Sequence, residues 1–127
     1  MNKKAKLVLT ITITALSCAG LLILEGQTKF LRRTYDDLIL GNKYHYLSCE
    51  ELPPEQEVIQ TMAEHEVELE RIRQVSPGFV DVEIDSQTCP GKADLLIWFG
   101  TQRDGELIGE IIGGERFHGI PYRLQNR

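Results

Sequence analysis

The sequence has little of what active sites and nucleic-acid interfaces are built from. Three cysteines, three histidines and one tryptophan are spread over 127 residues. No two cysteines form a Cys-x-x-Cys pair, which removes the usual thioredoxin-like redox motif. Neither Gly-x-Ser-x-Gly nor His-Glu-x-x-His occurs, so the nucleophile-elbow and zinc-protease motifs are absent. The one glycine-rich stretch, Gly109 to Glu115, ends a helical pattern, whereas a phosphate cradle needs a helix N-terminus. Basic charge is scarce as well. The chain carries 14 Lys+Arg against 19 Asp+Glu; Lys3, Lys4, Lys6 and Glu25 fall in the first 25 residues, leaving 11 basic and 18 acidic residues in the rest. Such a remainder repels phosphate backbones. No catalytic residue, no cofactor and no nucleic-acid partner is expected.

What the sequence does have is one long apolar run. Leu7 to Leu24 is uncharged and follows the basic stretch Met-Asn-Lys-Lys-Ala-Lys. As a helix it reaches about 27 Å at 1.5 Å per residue, close to the roughly 30 Å of a bilayer core. Thr10, Thr12, Thr14 and Ser17 weaken the run, but their hydroxyls can bond back to helix carbonyls. Residues 1–25 therefore read as a signal-anchor or transmembrane segment. Two other readings stand beside it. Ala15-Leu16-Ser17 offers the small alternating residues of a cleaved signal peptide. Ser17-Cys18 suggests a lipid-anchored protein, although bacterial lipoprotein signals usually place Leu where Ala15 stands. Lys3, Lys4 and Lys6 favour a cytoplasmic N-terminus, with Lys29, Arg32 and Arg33 opposing it from farther away. The remaining domain is expected outside the cytoplasm, on a single-pass membrane protein that meets the bilayer through residues 7–24.

Residues 26–42 read as a helical linker, because Phe30, Leu31, Tyr35, Leu38 and Ile39 recur at helical spacing before Gly41-Asn42. Residues 43–127 read as a small α+β domain. Lys43 to Ser48 is a candidate first strand. Pro53-Pro54 opens a helix running to about Val75, with Val58, Ile59, Met62, Leu69 and Ile72 on one face. Val80, Val82 and Ile84 alternate with Asp81, Glu83 and Asp85, as in a strand with one wet face. Ala93 to Phe99 gives a third strand. Thr101 and Asp104 resemble a helix-start box ahead of Leu107, Ile108, Ile111 and Ile112, which Gly113-Gly114 ends. Phe117 to Leu124 is a last strand that Pro121 confines to a sheet edge. The β-α-β-β-α-β order predicts a ferredoxin-like plait, an antiparallel sheet with both helices on one face.

In that topology Cys49 and Cys89 fall at the same end of the sheet and are expected to form a disulfide in an oxidising compartment. The bridge would stabilise the fold by about 3–4 kcal/mol in the chain-entropy model. His45, Cys49, Cys89 and His118 are metal-ligating types, but a strand does not bring His45 beside Cys49 and no paired spacing supports a centre; no metal site is expected. His65 falls between Met62, Leu69 and Ile72 on the helix stripe and reads as a core-edge residue. Asp81, Glu83 and Asp85 read as a solvated face. Trp98 and Leu96 lie on the strand face opposite Leu95, Ile97 and Phe99. With Tyr122 they form the expected interaction surface, unless the helix at 30–40 covers it.

The expected function is a membrane-tethered, extracytoplasmic protein-interaction or accessory-subunit domain without catalytic activity, with a protein partner. Alternatives are a protease-inhibitor or propeptide-like domain presenting the tail Gln125-Asn126-Arg127, or a thiol/His metal-binding or redox protein.

Overall fold

A computed structural model describes the backbone of residues 1–127 and every side chain except those of Glu25, Gln27, Thr28, Asp36 and Asp37. The chain divides into two compact units, Met1–Tyr35 and Asp36–Arg127.

The first unit is helical. α1 spans Lys3–Thr28 and α2 spans Phe30–Tyr35. The part of α1 from Lys3 to Leu24 is long and apolar enough to cross a membrane, and none of it is buried. A signal sequence has the same length and composition. The hydroxyls of Thr10, Thr12 and Thr14 donate to the carbonyls of Lys6, Val8 and Thr10. Each hydroxyl is thereby satisfied on its own helix, which lowers the cost of placing threonine in an apolar environment.

The second unit is a mixed α+β domain. It opens with a π-helical turn at Asp36–Leu40 and a short 3-10 turn at Cys49–Glu51. Then follow α3 (Glu55–Glu64), α4 (Glu66–Arg73), β1 (Asp81–Asp85), β2 (Asp94–Phe99), α5 (Gln102–Ile112), β3 (Arg116–Phe117) and β4 (Ile120–Asn126). The sheet order is β1-β2-β4-β3. β1 pairs antiparallel with β2, β2 pairs parallel with β4, and β3 pairs antiparallel with β4. The parallel pair requires the crossover that α5 supplies.

This arrangement corrects the expected plait. Lys43 to Ser48 contributes a single antiparallel bridge, Lys43 to Leu124, and no strand. Tyr46 explains why, since its φ of 54° lies in the left-handed region and turns the chain out of an extended path. The central place a first strand would occupy beside β2 belongs to β4. Its Lys43 side is held by paired backbone bonds between Lys43 and Leu124 and by Asn126 N–H donating to Asn42 Oδ1.

Two further elements differ. The helix expected from Pro53 to Val75 is two helices, broken at His65 with φ -115° and ψ 25°. The expected last strand is a hairpin, in which Phe117 faces Ile120 across the two-residue turn His118-Gly119. Both turn residues have positive φ, 47° and 86°, the signature of a type I′ turn, whose twist matches that of the strands it joins. β4 is consequently an interior strand, not an edge. Pro121 is tolerated there because pairing with β2 begins one residue later, at Leu95–Tyr122, so its missing N–H is not required by that ladder.

The core lies between one face of the sheet and the helices. Leu95, Ile97 and Phe99 of β2 are fully buried with Val58 of α3, Leu69 and Ile72 of α4 and Ile108 of α5. α5 begins with a reciprocal cap, in which Asp104 N–H donates to Thr101 Oγ1 and Thr101 N–H donates to Asp104 Oδ2. It ends at Gly113, whose φ of 72° favours glycine.

Candidate functional site

Three side-chain constellations stand out on the second unit, and each arises from a local departure from regular structure. The first lies on the sheet face opposite the helices. The chain from Tyr44 to Leu47 folds over the β2–β4 end of that face and encloses a cleft of about 220 Å³, lined in part by His45, Asp85, Asp94 and Arg123. Arg123 grips buried Asp94 through Nε and Nη2 at 2.6 and 3.0 Å, and its Nη2 also reaches Asp85 Oδ2 at 2.6 Å. Leu47 N–H donates to His45 Nδ1, so the ring proton is on Nε2 and is given to Asp94 Oδ2 at 2.6 Å. Burial on its own would raise the pKa of Asp94, but the hydrogen bonds from His45 and Arg123 outweigh it and the net direction is downward. Asp85 behaves alike. Burial opposes ionisation, yet bonds from Thr88 and Arg123 hold it at about 2. Both nitrogens of His45 are engaged, leaving none to act as a base or a ligand. The network locks the irregular segment onto the sheet.

The second constellation surrounds Trp98. Its Nε1–H donates to Glu83 Oε1 at 2.7 Å across the β1–β2 pair, and the Arg127 guanidinium lies 5.4 Å from the ring centroid. Trp98 is half-buried, while Leu96 is buried. Tyr122 is buried on the other face, in register with Leu95, and its hydroxyl donates to the Gly114 carbonyl. Of the three residues of the expected interaction surface, the structure leaves Trp98 at solvent and does not bring Tyr122 beside it. The residues expected as a free tail are also tied in. β4 continues through Asn126, and Arg127 N–H donates to the Phe99 carbonyl.

The third constellation joins His65, Glu68 and His118. The break between α3 and α4 places His65 at the N-cap position of α4, with Glu68 three residues on in the first turn. The β3–β4 turn delivers His118. The two imidazoles stack with centroids 3.5 Å apart and planes 3° from parallel, and His118 Nε2 lies 2.6 Å from Glu68 Oε2. Phe117, buried beneath, meets both rings edge-on. His65 is thus a partly exposed residue at a helix break rather than part of a continuous buried stripe. The sequence did carry two signals for this cluster, the His65-x-x-Glu68 spacing and the His118-Gly119 turn dipeptide.

Cys49 and Cys89 are disulfide-bonded, with Cα atoms 5.4 Å apart. Cys49 sits in the 3-10 turn and Cys89 in the β1–β2 loop. The loop and the start of α3 are further joined by Ala93 N–H to the Pro53 carbonyl and Glu55 N–H to the Gly91 carbonyl. Cys18 is a free, exposed thiol on α1. No family model, curated protein or solved structure matches the chain.

Proposed function

We propose that this protein is a membrane-tethered, extracytoplasmic interaction domain without catalytic activity, anchored by α1 and presenting the second unit to a protein partner. The observation that carries the reading is the pairing of an entirely exposed apolar helix with a disulfide-closed domain. An apolar helix with no protein against it is stable in a bilayer, and a cysteine pair persists as a disulfide in oxidising compartments. The positive charges of Lys3, Lys4 and Lys6 support a cytoplasmic N-terminus. Engagement of both His45 nitrogens and incorporation of the C-terminal residues into the sheet favour a scaffold over a catalyst or a tail-presenting inhibitor. Tryptophan and arginine are the side chains most often found at interface anchors, and Trp98 with Arg127 supplies both on one patch.

The compartment is tested by blocking thiols with an alkylating reagent at the moment of lysis and weighing the full chain. One alkylated cysteine, Cys18, is expected, with Cys49 and Cys89 protected until reduction. Three alkylated cysteines would contradict the reading. The docking patch is tested with a photo-crosslinking residue in place of Trp98. A discrete adduct in native membranes is expected there and none from the same residue at Lys92. Equal, diffuse labelling at both positions would remove Trp98 as the anchor.

A further inference from the structure

We propose that His65, Glu68 and His118 form a binding site for a divalent transition metal of the zinc class. The three residues offer ligand atoms that all lie within 4.8 Å of one another. Two imidazoles and a carboxylate suit zinc and its neighbours. Calcium and magnesium prefer all-oxygen shells and are disfavoured. Three protein ligands leave one tetrahedral position for water, the layout of an accessible zinc site.

Two backbone irregularities converge to build this cluster. His65 occupies the single non-helical residue between α3 and α4, with φ -115° and ψ 25°. His118 occupies the first central position of a type I′ turn, with φ 47°. Asparagine-glycine is the favoured pair for that turn, and histidine is among the few other side chains that enter the left-handed region readily. Histidine in place of asparagine adds an imidazole directly over His65. Neither His65 nitrogen has a hydrogen-bond partner among the described residues, and His118 engages Glu68 through Nε2 alone. Both His65 nitrogens are therefore open to a ligand, and His118 presents to the same place the Nε2 that already faces Glu68.

Loading the site requires side-chain movements on the order of 1 Å. Zinc bonds to nitrogen and oxygen are about 2.0–2.2 Å, which sets neighbouring ligand atoms at roughly 3.3 Å. His118 Nε2 and Glu68 Oε2 must separate by about 0.7 Å from 2.6 Å, and the ion takes the place of the proton they share. The rings must also splay from their parallel stack so that each lone pair points at the ion. The His118 and Glu68 side chains are 39% and 28% exposed, so both can rotate without disturbing the core. Phe117 braces the rings from below. The acidic surplus of the domain draws cations toward it.

The test uses the full chain in detergent, stripped with a chelator and dialysed. Zinc is titrated against a chromophoric competitor, and cobalt(II) reports geometry through its visible absorption. One zinc per chain is expected, with tetrahedral-type cobalt bands and no competition from excess calcium or magnesium. His118→Asn keeps the turn and Glu68→Gln keeps the shape of the helix start. Each should weaken zinc binding at least about tenfold, and their apo melting temperatures and disulfide content confirm the fold. Zinc should also raise the melting temperature of the unaltered chain and leave that of His118→Asn unmoved. Absence of stoichiometric binding, or binding undiminished in both variants, would overturn the proposal.

Discussion

Arg123 is the residue on which the sheet's outer face depends. Its guanidinium joins Asp94 and Asp85 beneath the Tyr44–Leu47 segment. Burial would lower its pKa, but the two carboxylates outweigh it and the direction is upward. Replacing it with methionine leaves the buried Asp94 carboxylate only the His45 bond, a loss of about 2–3 kcal/mol, below the cost of a fully unpaired buried charge. Urea melts of Arg123→Met should show that loss, and a cost within a few tenths of a kcal/mol would contradict the assignment. Asp85 gives the network a pH signature. Its pKa falls from 3.8 to about 2 on folding, so its contribution is present above pH 4 and is lost as pH drops through 2. Solvent reaches this carboxylate and screens it, so the shift contributes about 1 kcal/mol. Asp85→Asn should therefore be less stable than the unaltered chain by about that amount at pH 7 and nearly equal to it at pH 2. An equal deficit at both values would place the stabilisation elsewhere.

At the scale of elements, α5 is the most legible part of the sequence. Thr101, Asp104 and Gly113 are local signals, and each does locally what its chemistry dictates. Gly105 in the middle of α5 is explained by packing: a Cβ there would sit 3.1 Å from a ring carbon of Phe99, which is fully buried. Alanine gains about 1 kcal/mol in helix propensity, while overpacking a rigid core costs about 1–3 kcal/mol. Gly105→Ala should lower stability by about 1 kcal/mol in chemical denaturation. A rise would show that Phe99 can yield. β1 and β2 were legible from alternation and from a continuous apolar run. Three features were not. The left-handed Tyr46 has no glycine to announce it. The periodicity from Val58 to Ile72 runs straight through the break at His65, with neither glycine nor proline to mark it. The order of strands is a non-local property, and any β-α-β-β-α-β reading inherits the error once Lys43 to Ser48 is taken as a strand. The His65–Glu68–His118 cluster was hidden for a related reason, because His118 lies 50 residues beyond Glu68 and only the hairpin brings it back. Cys49 and Cys89 were easier to associate, since two cysteines in the domain leave a single possible pairing.

At the scale of the molecule, the helical unit and the disulfide-closed domain make one proposal about location. The bridge spans a sequence separation of 40 residues, and closing a loop of that size restricts the unfolded chain by about 4 kcal/mol. Reduction should lower the stability of the second unit by roughly that amount without abolishing its sheet, because the Cys49 and Cys89 segments are also joined by backbone bonds. Circular dichroism of the reduced chain during denaturation checks both statements; a loss below about 1 kcal/mol would make the bridge incidental. The central claim, a domain held outside the cytoplasm by an apolar helix, is tested most directly by protease treatment of intact cells producing the full chain with a tag after Arg127. The account predicts that the tag is lost from unpermeabilised cells while a membrane-bound fragment containing α1 remains. A tag that stays protected until the membrane is opened, or one that is released intact in soluble form, would contradict it.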